Sequence, residues 1–127
     1  MKVKVVERKN PQNLEAKPKY YGNAVNAGTV TIEKFAKTIA DRSSLSRGDI
    51  LNVLTNFIEQ LPVFLEIGMS VQLGSFGTMR LTLETEGAEK PEEFTANNVK
   101  SAKVIFTPGV EFKDFLTKIS YEVVKKD

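Results

Sequence analysis

The sequence predicts an α+β fold, and the 127-residue chain is about one domain long. Apolar residues recur at helical spacing from Ile32 to Leu65, whereas the spacing changes to every second residue beyond Gly68. Segments near both ends of the chain also alternate, which is typical of strands. The 41% apolar content supports one modest core, because two separate cores of half this size would each be marginal.

Extra strands are predicted at the two ends of the chain. Residues 2–6, KVKVV, alternate with period two, and a second candidate, KYYGNAV at residues 19–25, follows the polar segment NPQNLEAKP. These two strands can pair as a hairpin with a long loop. A last strand is predicted through Tyr121 and Val123 in the tail. The resulting boundaries are 1–28 for the N-terminal extension, 29–119 for the main domain and 120–127 for the tail.

Two helices joined by a short link are predicted next. Thr31 provides a side-chain oxygen that can cap the first helix, which should end near Arg42, and Ser46 is the equivalent cap of the second. Pro62 lies inside the second helix, so we expect either a kink or a break one turn before Gly68. The apolar stripes are Ile32, Phe35, Ala36, Ile39 and Ala40 in the first helix and Ile50, Leu51, Leu54, Phe57, Ile58, Leu61 and Leu65 in the second.

A three-stranded antiparallel sheet with a long β-arm follows the helix pair. Apolar residues alternate on both sides of the turn GSFGT at residues 74–78, which is a hairpin signal, and a third strand is expected at residues 101–107. The polar stretch between the second and third strands, about residues 84–100, is predicted to be an arm or a long loop. Pro108 and Gly109 precede a third helix. Its predicted buried face is Phe112, Phe115, Leu116 and Ile119, and Phe76 and Phe106 are also expected in the core.

The composition excludes most enzyme classes, because the chain has no cysteine and no histidine. Zinc sites of the usual kind, thiol nucleophiles and histidine general bases all need those residues. We therefore expect no enzyme activity, no catalytic residue, no metal, no cofactor and no small-molecule substrate. No apolar run approaches the roughly 20 residues of a membrane span, so we expect a soluble, cytoplasmic protein that does not bind membranes.

The charges are distributed unevenly along the chain. The net charge of +2 does not by itself indicate nucleic acid. However, residues 1–23 carry six cations and two carboxylates, a net charge of +4, and residues 84–93 carry five glutamates and one lysine, a net charge of −4. Tyr20 and Tyr21 beside Lys17 and Lys19 are a weak basic-aromatic signal, because tyrosines are ordinary in strands.

The order of the elements resembles the bacterial histone-like HU and integration host factor family. Three segments carry the resemblance: the helix pair LSRGDILNVLTNFIEQLPVFLEIG, the block VQLGSFGTMRL and the closing VIFTPGVEFKDFLTKI. The turn formed by Gly74, Phe76, Gly77 and Thr78 is similar to the family's central signature. The resemblance covers about residues 30–119 and is greatest to the HU-related proteins with extra terminal strands that are common in Bacteroidetes.

This resemblance implies an HU-like, DNA-bending fold and an intertwined homodimer whose two β-arms reach around double-stranded DNA. In the family, a proline at each arm tip enters the minor groove and bends the duplex with little sequence readout. The residues also indicate a dimer independently, because short helices and a three-stranded sheet carry more apolar surface than one copy can cover. The implied location is the nucleoid of the bacterial cytoplasm.

Pro91 is the arm-tip proline that the resemblance implies, but carboxylates surround it in EGAEKPEEF. HU arms are rich in arginine and lysine at this point, and a carboxylate repels phosphate. Pro91 is therefore either a wedge or a residue that rigidifies a turn. For the N-terminal lysines the alternatives are phosphate binding and an edge strand whose charge prevents aggregation. The candidate DNA contacts are Arg80, Lys100 and Lys103, then Lys90 and Pro91 at the arm tip, then Lys2, Lys4, Lys17 and Lys19, alone or with Lys125 and Lys126.

The sequence thus predicts a dimeric, non-sequence-specific DNA-binding protein that contacts the phosphate backbone, with bending left open. The alternative keeps the HU fold as a protein-interaction or structural dimer whose acidic arm binds a basic partner. A surface that joins Arg80, Lys100 and Lys103 with the N-terminal lysines would favour DNA. Glutamates that interrupt such a surface would favour the alternative.

Overall fold

The computed structural model describes residues 1–125, so Lys126 and the end of the predicted tail lie outside the described residues. The chain divides into two compact units. The first comprises Met1–Thr29 with the described residues from position 115 onward, and the second comprises Val30–Asp114. The elements in chain order are β1 (Lys2–Arg8), β2 (Lys19–Ala24), α1 (Ile32–Ala40), α2 (Arg47–Glu66), β3 (Val71–Gln72), β4 (Gly77–Thr85), β5 (Val99–Pro108), α3 (Val110–Thr117) and β6 (Glu122–Val124).

A three-stranded sheet in the order β2-β1-β6 builds the first unit. β1 pairs antiparallel with β2, with Val6 opposite Tyr21, so the predicted N-terminal hairpin is confirmed. β6 pairs parallel with β1, with Lys2 beside Glu122, so the predicted tail strand is confirmed as well. The amino group of Met1 donates a hydrogen bond to the carbonyl oxygen of Ser120 at 2.9 Å, which ties the tail to the start of β1.

α1 and α2 begin at the caps that the sequence predicts, and they pack against each other. The hydroxyls of Thr31 and Ser46 each accept a hydrogen bond from the backbone N–H three residues on, at 3.2 and 3.1 Å. α2 continues through Pro62 to Glu66, so a break at that proline is wrong. The helix continues because its apolar face extends past the proline to the buried Leu65. None of the helices in the described part of the chain combines the length and apolar character of a membrane span.

β3, β4 and β5 form the antiparallel sheet of the second unit. Leu81 of β4 lies opposite Val104 of β5, and the alternating apolar residues of the two strands therefore share one face, as the sequence predicts. The register shifts next to Thr85, which lies opposite Val99. This shift leaves Lys100 as the extra, unpaired residue of a bulge.

Gly77 opens β4 at a position that requires glycine. Its φ of 149° is one that side chains with a Cβ rarely adopt. A Cβ at this position would lie 2.5 Å from the carbonyl oxygen of Thr107 and 2.6 Å from the ring of Phe106. The carbonyl of Gly77 accepts a hydrogen bond from the N–H of Leu73 at 2.8 Å, which closes the turn and brings Phe76 to 4.8 Å from Phe106 between ring centroids.

Residues 86–98 form a folded loop beyond the paired part of β4 and β5. Two short 3-10 helices, Pro91–Glu93 and Ala96–Asn98, occupy the loop. The side-chain amide of Asn98 donates to the carbonyl oxygen of Glu86 at 3.2 Å, so the two ends of the loop are joined. The predicted β-arm is therefore absent as paired strands beyond Thr85, and the alternative of a long loop describes this segment.

Few side chains are buried within a single chain. The predicted buried face of the third helix is wrong for Phe115 and Leu116, which are 55% and 46% exposed, whereas Phe112 and Ile119 are half-buried. Phe76 is also 47% exposed, although its ring contacts that of Phe112 at 5.4 Å between centroids. The buried apolar residues of the described chain are Ala36, Ile50 and Leu65.

Candidate nucleic-acid interface

The nine residues predicted to contact DNA are all exposed, and they are distributed over both units. Members of the same unit are brought together by the pairing of its strands. Their roles as DNA contacts stay predictions. The second unit holds Arg80, Lys90, Pro91, Lys100 and Lys103, and the first holds Lys2, Lys4, Lys17 and Lys19.

Arg80 and Lys103 lie on the same face of the sheet in the second unit. Lys103 is opposite Thr82, which is two residues after Arg80 along β4. Glu84 is the next residue of β4 on that face, so a carboxylate follows the two cations. No ion pair within residues 1–125 involves Arg80. The face is thus mixed in charge, with Arg80 as its unpaired cation in the described chain.

Carboxylates pair with the other two cations of this region. The Nζ of Lys103 lies 3.9 Å from Oε2 of Glu84, and the Nζ of Lys100 lies 3.2 Å from Oε2 of Glu86. All four side chains are about half exposed or more, so each pair contributes roughly 0–1 kcal/mol to stability. The glutamates matter more for phosphate binding than for stability, because each carboxylate lowers the positive potential around its lysine. These two ion pairs are not evident from the sequence.

Lys90 and Pro91 lie together in the exposed loop. Pro91 is the first residue of the 3-10 helix, and Lys90 precedes it at the cap position. The carbonyl oxygen of Pro91 accepts a hydrogen bond from the N–H of Phe94 at 3.3 Å, so Pro91 is part of a local turn. The carboxylates of this loop beyond Glu86 are Glu89, Glu92 and Glu93, all exposed.

One face of the terminal sheet is basic. Lys2, Lys4 and Arg8 alternate along β1 and therefore share a face. Lys19 lies directly opposite Arg8 on β2 and adds a fourth cation to it. Glu122 lies beside Lys2, at the opposite end of β1 from Arg8. Its carboxylate is therefore distant from the Arg8 end of the sheet.

The loop between β1 and β2 forms a basic pocket at the Arg8 end of this sheet. Its volume is about 430 Å³. Lys17 and Lys19 are predicted contacts, whereas Arg8 and Lys9 were not predicted to join them in one site. Their signal was that they follow directly on the predicted first strand, within the same basic segment. The lining residues are Arg8, Lys9, Asn10, Pro11, Ala16, Lys17, Lys19 and Tyr21.

Known proteins similar to this chain belong to the HU and integration host factor group. The family model described as an HU domain fused to wHTH, Ig, or Glycine-rich motif matches residues 1–123. The integration host factor alpha subunits of two Haemophilus influenzae strains are each 29% identical over 87 residues, which is 67% of this chain and 91% of theirs.

Solved structures with the same fold include two bacterial proteins. A candidate bacterial DNA binding protein from Bacteroides vulgatus matches 97% of this chain with 14% identity and a TM-score of 0.62, and this chain spans 48% of its length. HU from Anabaena, cocrystallised with DNA, matches 71% of this chain and 100% of its own with 18% identity and a TM-score of 0.53. These identities show the fold, and the family model shows the relationship. The predicted resemblance is confirmed, and the chain belongs to the HU-HIG family.

Proposed function

We propose that this chain binds double-stranded DNA as an HU-like, non-enzymatic homodimer of the bacterial nucleoid. The observation that carries the proposal is the match to an HU domain over residues 1–123, together with the fold shared with an HU that was cocrystallised with DNA. The candidate contacts are lysines and arginines exposed on strands and loops, which suit phosphate oxygens rather than base edges. Binding is therefore expected to depend on salt and to be nearly independent of sequence.

The cations of the second unit support this proposal only in part. Arg80 is exposed and unpaired in the described chain, whereas Lys100 and Lys103 are paired with glutamates. A phosphate that replaces either glutamate must compete with it, so each contact contributes less than a free lysine would. We therefore expect weak binding from this unit.

The exposed surface of a single chain supports the homodimer. The chain exposes 11042 Å². A folded monomer of 14.1 kDa exposes about 6,700 Å², and two independent folded units of the same total mass would expose about 8,000 Å². The excess is of the order expected when part of the core is completed by a second copy.

An apolar groove between α1 and α2 is the part of this surface that a second copy would cover. Its volume is about 530 Å³. Phe35 and Ile58 on its walls are 53% and 55% exposed, and Phe57 is 41% exposed. Burial of such side chains contributes about 25 cal/mol per Å² of apolar area, so covering the groove favours association. The lining residues are Val30, Thr31, Ile32, Phe35, Leu54, Phe57 and Ile58.

A second candidate function is supported by the loop of residues 86–98. Its glutamates Glu89, Glu92 and Glu93 are exposed, and no ion pair within the described chain involves them. An acidic surface of this kind suits a basic protein partner better than DNA. In that case the HU fold would serve as a protein-binding dimer.

Fluorescence anisotropy of a labelled duplex of about 30 base pairs, titrated at several salt concentrations, tests the first proposal. The expected result is binding at low salt with a log-log salt slope of several units, since each neutralised phosphate contributes about 0.9. Absence of binding at low salt would overturn the proposal and favour a protein partner. Replacing Arg80, Lys100 and Lys103 by glutamine should weaken binding. The matched control replaces Lys34, Lys37 and Arg42, three exposed cations on and after α1.

A further inference from the structure

Arg8 and Lys19 are directly opposite each other across β1 and β2. Directly opposed like charges destabilise a strand pair, and nearby carboxylates usually offset that cost. Glu7, the neighbour of Arg8, points to the other face because successive residues of a strand alternate. No ion pair in the described chain involves Arg8 or Lys19. No carboxylate of the described chain offsets the repulsion, so an anion bound between the two cations would lower it.

The pocket at this position has the size and chemistry of an anion site. Arg8, Lys9, Lys17 and Lys19 line it, and no carboxylate is among its lining residues. Its volume of about 430 Å³ lies within the range of small-ligand sites. Four cations around one concave space together raise the local positive potential that attracts an anion.

Hydrogen bonds within the β1–β2 loop hold the pocket in shape. The side-chain oxygen of Asn10 accepts from the N–H of Gln12 at 2.9 Å, and that of Asn13 accepts from the N–H of Glu15 at 3.2 Å. The N–H of Ala16 also donates to the carbonyl of Asn13 at 3.2 Å. These are consecutive turns, and they place Lys9 and Lys17 at the two ends of an ordered loop.

Tyr21 orients the guanidinium of Arg8. The guanidinium carbon lies 5.7 Å from the centre of the Tyr21 ring, which is within the range of a cation–π contact. A guanidinium held in this way keeps its N–H groups available for two parallel hydrogen bonds to one anion. Arg8 is thus the residue best placed to bind a phosphate in two-pronged geometry.

We propose that Arg8, Lys9, Lys17 and Lys19 form a phosphate-binding pocket on the terminal sheet of this protein. Where the phosphate belongs to a duplex, the pocket rests on the proposed function and gives it a principal contact outside the HU-like sheet. Its cations are unpaired in the described chain, whereas Lys100 and Lys103 of that sheet are paired with glutamates. A free polyphosphate or nucleotide offers the same chemistry as the DNA backbone, and the experiment separates the two sources.

The first measurement is a titration of the ¹⁵N-labelled full chain with tripolyphosphate and, separately, with a duplex of about 30 base pairs, followed by amide chemical shifts. The expected result is saturable shifts at the amides of residues 8–9 and 16–19. If both probes leave these amides unshifted, the pocket proposal is overturned. This measurement uses the unchanged protein, so it does not depend on how a variant folds.

The second measurement compares Arg8→Gln/Lys19→Gln with Lys34→Gln/Arg42→Gln, which removes the same charge from exposed positions on and next to α1. Arg8→Gln/Lys19→Gln should bind tripolyphosphate about tenfold more weakly, because it loses two charge-assisted hydrogen bonds. Its log-log salt slope for duplex binding should fall by about 2, and the control should keep both values.

The two sources of phosphate give different results. Duplex shifts in the pocket together with the reduced slope assign the site to the DNA backbone. Saturation by tripolyphosphate without duplex shifts assigns it to a free phosphate compound, and the pocket then stands even if the chain binds no DNA. A third result is that the chain binds the duplex, the salt slope of Arg8→Gln/Lys19→Gln is unchanged, and neither probe shifts the pocket amides. This result overturns the pocket proposal, while the proposed DNA-binding function stands.

Discussion

The Nζ of Lys100 lies 3.2 Å from Oε2 of Glu86, at the point where β4 has ended and β5 has just begun. Lys100 is the unpaired residue of a bulge, so its side chain is positioned by a shift in register rather than by the regular ladder. Lys103 is held near Glu84 on the adjoining part of the same strand pair. The glutamates therefore set how much positive charge the sheet presents.

Replacing both glutamates should strengthen DNA binding. In Glu84→Gln/Glu86→Gln the two lysines lose their partners and become available to phosphates, so we expect affinity to rise about 3- to 10-fold at low salt and the salt slope to steepen by up to about 2. The anisotropy titration measures both quantities. Glu33→Gln/Glu59→Gln, which removes the same charge from exposed helix positions, should produce a smaller gain and leave the slope unchanged. Equal gains in the two variants would show that only net charge matters.

The elements of the fold could be predicted because their signals are local. Thr31 and Ser46 can cap helices from their own sequence positions, and alternating apolar residues define strands. The ion pairs could not be predicted in the same way. The approach of Glu84 to Lys103 depends on strand register, and that of Glu86 to Lys100 depends on a bulge, neither of which the sequence specifies locally.

The basic pocket shows the same limit. Lys17 and Lys19 are visible in the sequence as a basic segment, but Arg8 joins them only because β1 and β2 pair with Arg8 opposite Lys19. The exposure of α3 could not be predicted from the sequence either. Phe115 has the spacing of a core residue but is 55% exposed, because helical spacing does not specify which surface packs against the helix.

Gly77→Ala should destabilise the protein by about 1–3 kcal/mol or more, because φ is 149° and the added Cβ would meet Thr107 and the ring of Phe106. Urea denaturation at fixed protein concentration measures the change. Gly87→Ala is the matched control, since a Cβ there would meet no atom within 4 Å. We expect its free energy of unfolding to change by no more than about 0.5 kcal/mol. Equal effects at both positions would contradict the close packing described for Gly77.

Ser46→Ala should lower the free energy of unfolding by about 1 kcal/mol, because the N–H of Asp49 loses its side-chain acceptor at the start of α2. Ser44→Ala, in the link before the helix, is the control and should be close to neutral. Urea denaturation also measures this pair. A neutral result for Ser46→Ala would mean that water or a neighbour replaces the cap at no cost.

Ile58→Glu should dissociate the proposed homodimer. The substitution places a charge in the apolar groove between α1 and α2, and burying that charge in an interface costs several kcal/mol. Sedimentation velocity over a dilution series should show a lower mass than for the unchanged chain, and far-UV circular dichroism should report whether the separated chains remain folded. Leu14→Glu is the control, because Leu14 is 75% exposed in the β1–β2 loop and lies outside the groove. Its mass should match that of the unchanged chain.

Pro91→Ala separates the two roles considered for this proline. Because Pro91 opens a 3-10 helix and Glu92 and Glu93 follow it directly, we expect it to rigidify the loop rather than to enter the minor groove. Energy transfer between dyes at the two ends of a bound duplex should then be the same for Pro91→Ala and the unchanged chain. A control, Pro62→Ala in α2, removes an exposed proline from outside the loop and outside the basic pocket. A loss of energy transfer in Pro91→Ala alone would assign the wedge role to Pro91, since no other change at the loop tip accompanies the substitution.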